Sequence, residues 1–233
     1  MSNTVEQIHL ATTPLPDWHP RADERVAEVY GFVVRHPDGV IVVDTGVGAG
    51  NEFIEEVYQP TVVPLVEALH RTGIDERDVD AIVNTHLHFD HCGQNLALPT
   101  APIWVTDAEV QAATQEFYTV PEWAAIDATR RRTTRDGEVI ASGVRLLETP
   151  GHTPGHQSVA VDTADGLDVI VGQCCYCQAE WDAGVLDCGE VTGGDRPDPH
   201  LLATAQQSLD RLRALEPRRV FFSHEAFRPD ATD

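Results

Sequence analysis

Residues 85–93 read Thr85-His86-Leu87-His88-Phe89-Asp90-His91-Cys92-Gly93. Three imidazoles and a carboxylate lie between positions 86 and 91, and burying so many polar groups together is costly unless a cation binds them. Neutral imidazole nitrogen and carboxylate oxygen are donors that zinc and its first-row neighbours accept. The run follows Ala81-Ile82-Val83-Asn84, a short apolar stretch that reads as a buried strand. The cluster therefore occupies the loop leaving a strand.

Working outward, other strand-like runs also end in polar groups. Tyr30–Arg35 and Val40–Val43 flank the turn sequence His36-Pro37-Asp38-Gly39, which predicts a hairpin ending at Asp44-Thr45-Gly46. Ile103–Val105, Val144–Leu147, Gln157–Val161 and Val169–Val171 read as strands, and Val220–Phe222 as a last one that stops at Ser223-His224-Glu225. Thr61–Thr72 reads as a helix with Val62, Leu65, Val66 and Leu69 on one face, and Thr106–Glu109 as a capping box opening another. Glu116–Arg135 reads as helical or irregular, with Arg130-Arg131-Arg132 as a solvated face. Asp198-Pro199 opens a helix whose buried stripe is Leu201, Leu202, Ala205, Leu209, Leu212 and Leu215. Two mixed sheets packed together with helices outside account for this succession. The length suits one domain over residues 1–233, with 1–29 as an N-terminal arm near the site.

His152 lies in Thr149-Pro150-Gly151-His152-Thr153-Pro154-Gly155-His156, where glycines and prolines fix a loop and let backbone approach a ligand. Polar groups delivered from several strand ends to one edge form a site. His86, His88, Asp90 and His91, then His152 and His224, with Asp44-Thr45-Gly46 upstream, resemble the metallo-β-lactamase fold superfamily. The resemblance runs from about residue 30 to 226. Within the superfamily, residues 85–93 and the closing Ser223-His224-Glu225 look most like the N-acyl-homoserine lactone lactonases.

That resemblance implies an αβ/βα four-layer sandwich holding two zinc ions at one edge. His86, His88 and His152 match the first metal site; Asp90, His91 and His224 match the second. A carboxylate normally bridges the ions from the strand after the Gly-His motif, but here Val169-Ile170-Val171-Gly172 leads to Gln173. Gln173 offers a neutral carbonyl oxygen, a weaker ligand, and Cys174 beside it is a rival donor. Tyr176 matches the tyrosine that faces the substrate carbonyl in the lactonases. Asp44 reads as orienting a ligand imidazole, His156 as a backbone partner rather than a ligand. Cys174, Cys175 and Cys177 read as small buried hydrophobes, Cys92 and Cys188 as structural. His19 reads as a surface residue or part of a covering arm, and Trp123 and Phe117 lie where this fold places substrate-contacting helices.

The chemistry follows from the ligands. Metal lowers the pKa of coordinated water to about 7, so hydroxide forms at neutral pH and attacks the ester carbonyl. Tyr176 steadies the oxyanion and Asp90 carries a proton to the leaving alkoxide. The expected substrate is a small-molecule ester or lactone. The rival readings are a hydrolase of another ester or a thioester, like glyoxalase II, and a low-turnover metal-binding or sensing protein in which Gln173 marks a degenerate site.

Composition narrows the partners. Sixteen basic residues, all Arg, face 38 acidic ones for a formal charge of −22. Such a surface repels phosphate backbones and anionic lipid, so nucleic acid and membranes are excluded as partners. No apolar run approaches the ~20 residues of a membrane span. The start of the chain lacks a signal-peptide pattern, and five cysteines, an odd number with four bunched between 174 and 188, do not look like a secreted disulfide framework, which together predict a cytoplasmic protein. A homodimer is compatible with all of this.

Overall fold

Alternation of inward and outward apolar residues builds the two sheets. The computed structural model describes residues 2–186 and 199–228. In strands β2 (Val26–His36) and β3 (Gly39–Val43), Phe32, Val34, Ile41 and Val43 face one way and Val33 and Val42 the other, all buried. Strands apolar on both faces need cover on both sides.

The larger sheet has seven strands in the order β4-β1-β2-β3-β5-β6-β7. Its other members are β1 (Thr4–Pro14), β4 (Thr61–Val62), β5 (Val79–Val83), β6 (Ile103–Val105) and β7 (Arg131–Thr133). The smaller sheet runs β12-β11-β10-β9-β8, from β8 (Val139–Ala141), β9 (Val144–Glu148), β10 (Gln157–Thr163), β11 (Gly166–Gly172) and β12 (Arg219–Phe222). Both are mixed: β3, β5, β6 and β7 pair in parallel, as do β11 and β12, and the remaining ladders are antiparallel.

One core lies between the sheets, where Phe32, Val34, Ile41 and Val83 meet Leu146, Val159, Ile170 and Phe221. Helix α2 (Leu65–Arg71; α1 is Glu52–Val57) covers the outer face of the larger sheet through Leu65, Ala68 and Leu69. Trp181 of α6 (Gln178–Ala183) and Ala205, Leu209 and Leu212 of α7 (Pro199–Arg213) cover the smaller one. The result is the four-layer αβ/βα sandwich. Among the described residues no helix is long and apolar enough to cross a membrane.

Several expectations need correction. The N-terminal arm is not residues 1–29: Thr4–Pro14 is a full strand inside the larger sheet, paired with β2 from Thr4↔Arg35 to Pro14↔Val26. Gln7 and His9 interrupt its apolar pattern, and the sheet overrides that local signal. Only the excursion between β1 and β2 is arm-like, and the Leu15 N–H to Arg25 carbonyl bond closes it. The helix expected from Thr61 begins at Leu65, because Thr61 and Val62 pair with Thr12 and Ala11 and the residue before Pro64 is forced extended. Within 116–135 there is a short helix, α5 (Pro121–Ala124), and then strand β7. Arg130 is no solvated face: its guanidinium donates to the carbonyls of Ala101, Leu98 and Asn95 at 2.9, 2.7 and 3.2 Å. Leu201 points outward rather than into the stripe of α7. Asp198 and Cys188 lie outside the described residues.

Candidate metal centre

The site stands on five strand ends. Asp44 follows β3, residues 86–91 follow β5, His152 sits between β9 and β10, Gln173 follows β11, and His224 follows β12. The two sheets are stitched together beneath it. The Gln157 N–H donates to the Thr85 carbonyl, the Gln157 amide to the Asn84 carbonyl, and the Tyr30 N–H to the Ser223 carbonyl, each at 2.8 Å.

Two sets of donors converge there. His86, His88 and His152 place one nitrogen each within 4.8 Å of one another, and Asp90, His91 and His224 do the same with two nitrogens and a carboxylate oxygen. The rings of His86 and His91 lie 3.9 Å apart between centroids, tilted by 45°, so the two triads are neighbours. Both His91 and Asp90 come from the four-residue helix α3 (Phe89–Cys92).

The hydrogen bonds around the rings determine which nitrogen faces inward. His91 Nδ1 donates to Asp44 Oδ2 at 2.8 Å, and His224 Nδ1 donates to the Glu28 carbonyl at 2.8 Å. Thr85 Oγ1 gives its proton to Asp44 Oδ2 at 2.7 Å and is left to accept from His86 Nδ1 at 3.1 Å. Each of these imidazoles thereby turns the lone pair of Nε2 toward the site. Asp44 serves as the hub, and also accepts from the Thr85 N–H at 2.7 Å. It holds a left-handed backbone conformation (φ 58°), which is uncommon without glycine and is sustained by these bonds.

This arrangement fits a metal. The buried Nε2 atoms of His91 and His224 have no hydrogen-bond partner. His88 Nδ1 lies 3.1 Å from both His86 Nε2 and His152 Nε2, three ring nitrogens converging with too few protons to bridge them. Burial holds His88 and His224 down to about 4, so both rings are neutral and able to ligate at pH 7. Burial also lowers His86, and its imidazole neighbours reinforce that shift. His91 moves the other way: burial lowers it, but the carboxylates of Asp90 and Asp44 outweigh that. Burial raises Asp90, and His91, His224 and His88 more than reverse it. A nitrogen-rich donor set with one carboxylate suits zinc and its neighbours.

Gln173 turns its carboxamide toward His91 without reaching hydrogen-bond geometry, and its Oε1 is buried with no partner. Cys174 points away, into the core beneath α7, where burial pushes its thiol up to about 12. Cys175 joins the same core, Cys177 is partly exposed, and Cys92 packs with Leu87 and Val105. His156 is buried, with Nδ1 at Thr149 and Nε2 accepting from the Gln173 N–H at 3.0 Å, so it braces the Gln173 backbone. Tyr176 stacks on His224 at 4.9 Å and 16°. Trp123 packs beside Gly48 and Val120, whereas Phe117 is almost wholly exposed.

Comparison with known proteins bears on this geometry. Residues 26–224 match the Metallo-beta-lactamase superfamily. The chain belongs to that superfamily. An N-acyl homoserine lactonase of a Bacillus species is 31% identical over 210 residues, covering 84% of this chain and 81% of that protein. A solved N-acyl homoserine lactone hydrolase, with the product N-hexanoyl-L-homoserine at its catalytic metal center, superposes with a TM-score of 0.76 at 25% identity. That match covers 94% of this chain and 92% of the other. The hydroxyacylglutathione hydrolase of Methylococcus capsulatus is 32% identical over 166 residues, spanning 70% of this chain and 53% of that protein.

Sequence reasoning missed one residue of this metallo-beta-lactamase site. Glu109, on α4 (Asp107–Ala112), is fully buried and accepts from the Leu87 N–H at 2.8 Å and Thr153 Oγ1 at 2.6 Å, and from the Tyr118 hydroxyl. Only half of the expected capping box forms: Thr106 Oγ1 accepts from the Glu109 N–H at 3.1 Å, but the carboxylate turns inward instead of back to the cap. It thereby joins the loop carrying His86 and His88 to the loop carrying His152. Tyr118 in turn packs its ring 4.8 Å from His88.

Proposed function

We propose that this protein is a zinc-dependent hydrolase that opens a lactone, with N-acyl homoserine lactones as the reference substrates. The observation that carries this reading is the pair of adjoining triads beside Tyr176. The identity to lactonases along most of both chains supports the substrate class.

His86, His88 and His152 would hold one ion, and Asp90, His91 and His224 the other. Gln173 offers its Oε1 to the second set. When bound, the ions polarise the ester carbonyl and lower the pKa of water to about 7. The residues of the chain do the rest. Tyr176 donates a hydrogen bond from its phenol to the carbonyl oxygen as negative charge builds there on attack by water. Asp90, a carboxylate at neutral pH, takes the proton released by the attacking water, and as the ring C–O bond breaks it delivers that proton to the departing alkoxide, giving a hydroxy acid. Asp44 and the Glu28 carbonyl keep His91 and His224 in one tautomer throughout.

The test is metal analysis combined with a pH-indicator assay over a panel of lactones, and a thiol-release assay with acyl thioesters. The metal-replete protein is expected to open acyl-homoserine lactones, to lose all activity on chelation, and to regain it with zinc. Cleavage of thioesters with no lactone opened would instead support the glyoxalase II-like alternative, which the similarity to hydroxyacylglutathione hydrolase favours. Activity that survives exhaustive chelation overturns both.

Gln173→Asp tests the second set. A carboxylate in place of the neutral amide adds a negative charge beside the ions, so the variant is expected to retain metal at higher chelator concentration than the native protein. Unchanged retention would show that Gln173 does not reach them.

A further inference from the structure

The segment between β1 and β2 crosses the mouth of the site and is pinned on both sides. On one side Trp18 meets Tyr58 edge-on at 6.1 Å, and Tyr58 packs on Phe89 of the histidine loop at 4.7 Å. On the other, Arg21 places its guanidinium carbon 3.8 Å above the ring of Tyr176. Between them, His19 accepts from the Arg21 N–H at 3.1 Å and lies close enough to Asp90 to feel its charge.

Arg21 is held firmly. Its side chain is only 12% exposed, with Nε donating to Glu24 at 2.8 Å and Nη1 to Glu180 at 3.1 Å. Glu180 uses its other oxygen to accept from the Tyr176 N–H at 2.9 Å. Tyr176 is thus gripped twice by one unit: its backbone by Glu180, and its ring by the arginine that Glu180 orients. A guanidinium over an aromatic face is attracted by the ring's negative surface, and more strongly when water is excluded. The planar fork of arginine can stack on the ring and pair with two carboxylates at once, which a lysine ammonium does less well.

We propose that Arg21 is a positioning residue that fixes the Tyr176 phenol at the substrate carbonyl, making the 15–25 segment part of the active site. The proposal rests on the reading of Tyr176 as the carbonyl-facing phenol. Arg21 acts through the tyrosine ring and not by touching substrate, so its effect falls on kcat, and only while the phenol is present.

The experiment is a double-mutant cycle on the metal-loaded enzyme with Arg21→Ala, Tyr176→Phe and their combination, and Arg21→Lys as the conservative variant. Metal content is measured for each. Tyr176→Phe removes one oxyanion donor and is expected to lower kcat on a lactone by about 100-fold. Arg21→Ala is expected to lower kcat about tenfold with KM little changed, and by less than about twofold in the Tyr176→Phe background, since Phe keeps the ring but has no phenol to aim. Arg21→Lys is expected to recover part of the loss. An equal loss in both backgrounds, a loss accounted for by missing metal, or native kcat in Arg21→Ala overturns the proposal. Native kcat in Tyr176→Phe instead overturns the role given to the tyrosine, and the clamp's purpose with it.

Discussion

Asp90→Asn is expected to lower lactone opening by about 1000-fold, within the range for losing a proton-transfer group and with a weakened metal site added. Asp90 is the only carboxylate in the two triads. Its Oδ2 lies 3.6 Å from His91 Nε2 and 3.7 Å from His224 Nε2, the two inward nitrogens of its set. Those imidazoles, with His88, hold the carboxyl below its usual range in spite of burial. Asparagine keeps the shape and removes both the negative charge and the capacity to carry a proton. Any cation bound by this set would then face neutral donors alone, so metal should also be held less tightly there. Steady-state kinetics together with metal content per chain measures both effects. A variant that keeps full metal and more than a tenth of native kcat would remove Asp90 from the mechanism.

Glu109→Leu should cause the largest loss of stability, about 3 kcal/mol or more, because it strands two buried donors and a half-buried one at once. The Leu87 N–H, the Thr153 hydroxyl and the Tyr118 hydroxyl all terminate on this carboxylate. The milder Glu109→Gln keeps the size and turns a donor toward groups that are already donors. The loss should be felt at one triad more than the other, since Leu87 lies between His86 and His88, and Thr153 follows His152. Metal bound by that set should weaken by about 10- to 100-fold in Glu109→Gln, as for other partners that orient ligands from behind, while the Asp90 set is spared. Denaturant unfolding and metal titration of the same samples check the two halves. Equal weakening at both sets would make Glu109 a general packing residue.

Most of the strand ends were legible in the sequence. Apolar runs with turn signals on either side marked β3, β5, β6, β9, β10, β11 and β12, and the polar residue after each was in view. Strand β1 was not, because Gln7 and His9 break its alternation, and only pairing with β2 along its length makes the strand worthwhile. The start of α2 was misread because Thr61 and Val62 fit a helical stripe equally well, and their partners Thr12 and Ala11 lie far away in the chain. Glu109 was legible only as a cap. Two of its three partners, Leu87 and Thr153, are 22 and 44 positions distant, and no local pattern reports a hydrogen bond of that span.

The sequence by itself determined the donor chemistry: six metal-seeking side chains at strand ends, and a neutral Gln173 where the resemblance led one to expect a carboxylate. Residue types and spacing suffice for that, since softness and charge belong to the side chain wherever it sits. Only the tertiary structure decided which nitrogen of each ring turns inward. An imidazole's tautomer is set by whatever meets its far side: for His91 and His224 those partners are Asp44 and the Glu28 carbonyl, brought in from other strands, and for His86 the adjacent Thr85, whose hydroxyl Asp44 orients.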